Sequence, residues 1–100
     1  MPTYVVLIDW TERGVTNFKD TVDRYEAARS DFEGRGVTFK DIYWTLGGHD
    51  IVTIAEAPDD ETLAAALLRL VSAGNLRTTT LRAFSQDEMR GVIQSARGAA

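Results

Sequence analysis

Thr3 to Asp9 carries apolar residues on both of its alternating faces, Tyr4, Val6 and Ile8 on one and Val5 and Leu7 on the other, the pattern of a strand covered on both sides. The polar stretch from Asp9 to Gly14 breaks that run. Val15, Phe18, Val22, Tyr25, Ala28 and Phe32 then recur at spacings of three and four, which predicts one helix with a single apolar stripe. Gly34-Arg35-Gly36 ends it, because glycine accepts the left-handed backbone of a helix C-terminal cap. A second strand is expected from Val37 to Leu46 and a third from Asp50 to Glu56, the latter apolar on both faces through Ile51, Val52 and Ile54. Between them, Gly47-Gly48 fits the two-residue turn of a β-hairpin, which needs positive φ.

Pro58-Asp59-Asp60-Glu61 has the composition of a helix start, since short carboxylates cap free backbone N–H groups at the positive end of the dipole. Leu63, Leu67 and Leu70 mark the buried face of that helix, and Gly74-Asn75 ends it. Leu76 to Phe84 is a strand, because the consecutive threonines Thr78, Thr79 and Thr80 disfavour a helix. Ser85 with Glu88 forms a capping box for a last short helix through about Ala96, after which Arg97-Gly98-Ala99-Ala100 is expected to fray. The order βαββαβ plus a terminal helix predicts an α+β, ferredoxin-like sandwich: a four-stranded antiparallel sheet of order 4-1-3-2 with two helices on one face. The uncovered face would then expose apolar residues of strands one and three, so a homodimer or higher homo-oligomer is expected.

One hundred residues suffice for one domain spanning residues 1–100, and 44% apolar with 26% charged residues is ordinary for a globular chain. No apolar run approaches the roughly 20 residues of a membrane span, and Met-Pro-Thr-Tyr-Val-Val lacks the features of an export signal, so a cytoplasmic location is expected. The chain has no cysteine and one histidine, which removes disulfides, thiol nucleophiles and thiolate metal sites, and neither metal nor cofactor is expected. A formal charge of -4 without clustered Lys and Arg argues against a nucleic-acid surface.

Three blocks of the chain, Trp10-Thr11-x-x-Gly14-x-x-Asn17-x-Lys19-Asp20-x-x-x-Arg24, Tyr43-Trp44-Thr45-Leu46-Gly47-x-x-Asp50 and Gly74-Asn75-x-Arg77-Thr78-Thr79-Thr80-Leu81-Arg82-Ala83-Phe84, together resemble the GYD family along nearly the whole length. The resemblance implies a fold of the dimeric α+β barrel type and carries no settled activity with it. Where the family pattern has Gly-Tyr-Asp, this chain has Gly48-His49-Asp50, so any role of the phenol is lost or taken by imidazole.

With the strands ordered 4-1-3-2, Asp9, Trp10, Thr45, His49, Asp50, Asn75 and Arg77 meet at one edge of the sheet, near the helix start that carries Asn17 and Lys19. That cluster is a candidate site for a small anionic or aromatic ligand: Arg77 and Lys19 supply positive charge, Trp10 a flat apolar wall, and His49 a group whose charge changes across the neutral range. The same residues also fit a structural role, with Asp50 pairing Arg77 or accepting backbone N–H bonds, and Trp10 as core. Tyr43 and Trp44 are expected on opposite faces of their strand. Three functions follow. One is an oligomeric small-molecule binding protein; a second is a cofactor-independent enzyme, isomerase or monooxygenase-like, with His49 and Asp50 as acid and base, or with a Pro2 amine if Met1 is removed; the third is a structural or partner-binding module without ligand.

Overall fold

β1 (Thr3–Trp10) and β3 (Ile51–Glu56) form the centre of a four-stranded antiparallel sheet, with β2 (Thr38–Trp44) and β4 (Leu76–Ala83) at its edges, in the order β2-β3-β1-β4. This is the ferredoxin-like order expected from the element pattern. The structure, a computed structural model, describes residues 1–98, so Ala99 and Ala100 of the tail expected to fray lie outside the described residues.

Register sorts the apolar residues onto two faces. Ile8 stands opposite Ile51 and Thr78, Val6 opposite Thr53 and Thr80, and Tyr4 opposite Ala55 and Arg82. The buried members of that set, with Phe32, Val37, Ala57, Leu63 and Ala66, make the core under the helices. Fully burying Phe32 or Val6 removes enough apolar area to contribute roughly 1.5–3 kcal/mol each. Val5, Leu7, Val52, Ile54 and Leu81 occupy the alternate positions and form the second face, where Leu81 is 48% exposed. The central strands are thus apolar on both faces, as their sequence requires, but only one face is covered by this chain.

The single helix expected from Val15 to Phe32 is instead three pieces: α1 (Glu12–Thr16), a 3-10 turn (Phe18–Asp20) and α2 (Thr21–Gly34). The chain leaves helical geometry at Asn17, with φ -103° and ψ 34°. Asn17 closes α1 by donating both its backbone N–H and its side-chain amide to the Arg13 carbonyl, at 3.3 and 3.0 Å. The Arg24 guanidinium donates to the Asn17 and Gly14 carbonyls freed by the break, at 3.1 and 3.3 Å. Thr11 and Gly14 are tied to the loop before β4 while α2 lies along β2, and the break lets one chain serve both attachments. The predicted stripe is accordingly split: Phe32 is buried, Tyr25 and Ala28 are half-buried, and Val15, Phe18 and Val22 are exposed.

The other helices follow their sequence signals. α3 (Asp60–Val71) begins at Asp59, whose side chain accepts the Thr62 N–H at 2.7 Å, and buries Leu63 and Ala66. α4 (Gln86–Arg97) begins with the expected capping box, Ser85 Oγ accepting from Glu88 N–H at 3.1 Å and Glu88 Oε1 from Ser85 N–H at 2.9 Å. Every residue of α4 is exposed, and the molecule measures 57 × 31 × 19 Å along its principal axes. No helix among the described residues is long and apolar enough to cross a membrane.

Candidate functional site

Three distant segments meet at one end of the sheet, and hydrogen bonds to backbone groups hold them together. The Asp50 carboxylate accepts the Trp10 N–H at 2.9 Å, and the Asp50 N–H donates to the Ile8 carbonyl at 3.0 Å, so this residue ties the β2–β3 connection to the end of β1. Thr45 closes the same connection by donating its hydroxyl to the His49 carbonyl at 2.6 Å and its N–H to the Asp50 carbonyl at 2.8 Å. The connection is therefore longer than the two-residue Gly-Gly turn expected: β2 stops at Trp44, β3 starts at Ile51, and of the two glycines only Gly47 has positive φ. Across the sheet, Thr11 donates its N–H to the Asn75 carbonyl at 3.0 Å and its hydroxyl to the Gly74 carbonyl at 2.6 Å. A Cβ on Gly14 would fall 2.0 Å from the Asn75 oxygen, so the close approach of α1 to this loop requires glycine.

The expected cluster is divided by the sheet. Trp10 lies opposite Leu76 and packs partly buried against the core on the helix side, its Nε1 buried without a hydrogen-bond partner. Asp9 lies opposite Arg77 on the other face, because successive strand residues point to opposite sides. His49 Nδ1 approaches Asp9 Oδ1 at 3.2 Å, so its carboxylate neighbour is Asp9 rather than Asp50. The structure thus brings Asp9, His49 and Arg77 to one end of the uncovered face. Asn17 and Lys19 form no hydrogen bond or ion pair with these residues among the described ones, Asn17 being engaged in the α1 break. Tyr43 and Trp44 do face opposite ways: Tyr43 is 61% exposed, whereas Trp44 donates its indole N–H to Thr21 Oγ1 at 3.0 Å and meets the Tyr25 ring edge-on. Among the described residues no three His, Asp or Glu side chains are placed to hold a metal ion.

A hollow lies on the helix side, away from that cluster. A cleft of about 440 Å³ opens between α2, α3 and the sheet, with Ile8, Ile42, Ile51 and Phe39 as its floor and Arg24, Asp31 and Arg69 among its polar lining residues. The cleft is open on one side, so solvent or a ligand can enter it. The sequence signal for it is the small residues Ala27 and Ala28 of α2 and Ala73 just past the end of α3, where larger side chains would close the gap.

Shifted ionisations belong to structural contacts. The Tyr4 phenol is raised above its ordinary range by its hydrogen bond to the Asp60 carboxylate, together with burial. Asp59 and Glu88 are lowered by the hydrogen bonds they accept from Thr62 and Ser85 at the helix starts. Arg82 lies over the Tyr4 and Phe84 rings at 5.7 and 4.7 Å and reaches Glu88 at 3.5 Å, so this group anchors the root of α4.

Comparison with known proteins places this architecture. A glutamine synthetase and cystathionine beta-lyase binding protein from Thermus thermophilus is 36% identical over 85 residues, covering 84% of this chain and 90% of the relative. The crystal structure of TTHA0845, also from Thermus thermophilus, superposes with a TM-score of 0.55 at 24% identity, covering 85% of this chain and 95% of that one, which shows a common fold. The GYD domain model matches residues 4–93, and the backbone ties of Thr11, Gly14, Thr45, Asp50 and Asn75 give its motif positions a physical role; the chain belongs to the GYD-domain family.

Proposed function

We propose that this chain is a self-associating protein-binding module that docks on an enzyme of amino-acid metabolism. The observation that carries this reading is α4, an amphipathic helix exposed at every residue, with Met89, Val92 and Ile93 at helical spacing on one side. A helix of that length is marginal alone in water, so an apolar face held out from the body gains its stability on a partner. The name of the Thermus relative, a binder of glutamine synthetase and cystathionine beta-lyase, supports an enzyme as that partner. The second apolar surface, the sheet face carrying Val5, Leu7, Val52, Ile54 and Leu81, suits a second copy of the chain by like-to-like pairing of sheets. Co-elution and calorimetric titration with purified glutamine synthetase and cystathionine beta-lyase of the same organism test the reading. Binding that is lost in Ile93→Asp supports it; no binding to either enzyme overturns it.

A second reading is favoured by the meeting of Asp9, His49 and Arg77 at the end of the uncovered face. There a small anionic or aromatic ligand would use Arg77 as its fixed positive charge and His49 as a second contact, with Asp50 and Trp10 as the frame behind them. Asn17 and Lys19 would add to such a site only by a rearrangement of the α1 break. An affinity unchanged by Arg77→Ala for any ligand found by screening removes this reading.

A further inference from the structure

We propose that the cleft between α2, α3 and the sheet is a binding site for a small apolar carboxylate, its ring or chain seated on Ile8, Ile51 and Phe39 and its carboxylate held by Arg69 and Arg24. The volume of about 440 Å³ lies in the range of pockets for metabolite-sized ligands. The interior suits an apolar body: the Thr53 hydroxyl on its floor is already used in donating to the Asp41 carbonyl at 2.6 Å. The rings of Tyr25, Phe32 and Phe39 stand together on one side, with centroids 5.9 Å apart for Tyr25 and Phe39 and 4.8 Å for Phe32 and Phe39, and offer edges and faces to a flat ligand.

Charge selects the head group. Asp31, the carboxylate among the cleft residues, is paired with Arg35 at 3.1 Å. Arg24 donates only to the backbone carbonyls of Asn17 and Gly14, which leaves its charge without a counterion, and Arg69 forms no ion pair among the described residues. In a chain of formal charge -4, two uncompensated guanidinium groups beside an apolar cleft fit a carboxylate, which accepts paired N–H bonds from arginine.

The test uses 2-naphthoate and octanoate as probes, each beside its uncharged alcohol, followed by calorimetry and by amide chemical-shift mapping on the full chain. Expected are saturable binding of at least one acid, shifts centred on Ile51 to Thr53, and an affinity for the acid reduced about tenfold in Arg69→Ala while that for the alcohol stays unchanged. Ala28→Phe, which fills the cleft, should abolish both; Arg69 is exposed, so its substitution keeps the test decisive if the filled variant does not fold. Tighter naphthoate assigns an aryl ligand, tighter octanoate an acyl one. Absence of saturable binding by either acid overturns the proposal, as do shifts centred on His49 and Arg77 or an acid affinity unaltered by Arg69→Ala. Binding that emerges only in Ile93→Asp also overturns it, since the cleft would then belong to α4 of a second copy.

Discussion

Gly14 shows how one position can be demanded by a backbone it never contacts in sequence. Its missing Cβ leaves room for the Asn75 carbonyl, which in turn accepts the Thr11 N–H. Gly14→Ala must push the loop before β4 away from α1, and overpacking of this kind costs about 1–3 kcal/mol. Urea unfolding should show a lowered midpoint for Gly14→Ala and none for Gly34→Ala, whose added Cβ meets nothing within 4 Å. Equal midpoints for Gly14→Ala and wild type would refute the role. Asp50 is the other instructive residue: beside the lone histidine it reads as half of an acid–base pair, yet its carboxylate is turned to the Trp10 N–H and the imidazole meets Asp9. The sequence offered both possibilities, and only the approach of β1 to the β2–β3 connection decides between them.

Helix starts are the elements most legible in the sequence, because a cap and its N–H lie three residues apart on the same segment. Ser85 with Glu88 forms as its spacing predicts, and within the helix start expected at Pro58-Asp59-Asp60-Glu61 it is Asp59 that caps, accepting the Thr62 N–H. Both carboxylates bind protons less readily folded than unfolded, so the unfolded chain takes up more protons as pH falls and the stability they contribute is lost on acidification. Thermal unfolding followed by circular dichroism should therefore decline from about pH 5 downward, and more shallowly in Asp59→Asn with Glu88→Gln than in wild type. Identical slopes would show that the caps do not titrate with folding. The helix from Val15 to Phe32 was less legible. Its apolar spacing is continuous, but the chain's attachment to two places, the Asn75 loop and β2, breaks it at Asn17.

At the scale of the molecule, one chain leaves two apolar surfaces without cover, the outer sheet face and α4. A face carrying Leu7, Ile54 and Leu81 at its centre favours association by removing apolar area from water, roughly 25 cal/mol per Å². Light scattering after size exclusion at micromolar concentration should give a mass above that of the 11.1 kDa chain, and Leu7→Asp with Leu81→Asp should return it to monomer. A monomeric wild type would end the self-association reading and leave the cleft between α2 and α3 unaffected, since that cleft lies on the other face.

The sequence by itself determined the strands, the caps and the order of the elements, because alternation, helical spacing and turn residues act between near neighbours. It also determined that β1 and β3 are central, since only a strand flanked on both edges and meeting apolar surroundings on both faces needs apolar residues at every position. The tertiary structure decided which side chains share a face. Trp10 and Arg77, expected at one site, stand on opposite sides of the sheet because each lies one residue out of phase with the other across the β1–β4 register. It decided too that Ala27, Ala28 and Ala73 border a cleft rather than a packed seam, since the separation of two helices is set by how their whole surfaces fit the sheet and not by any local pattern.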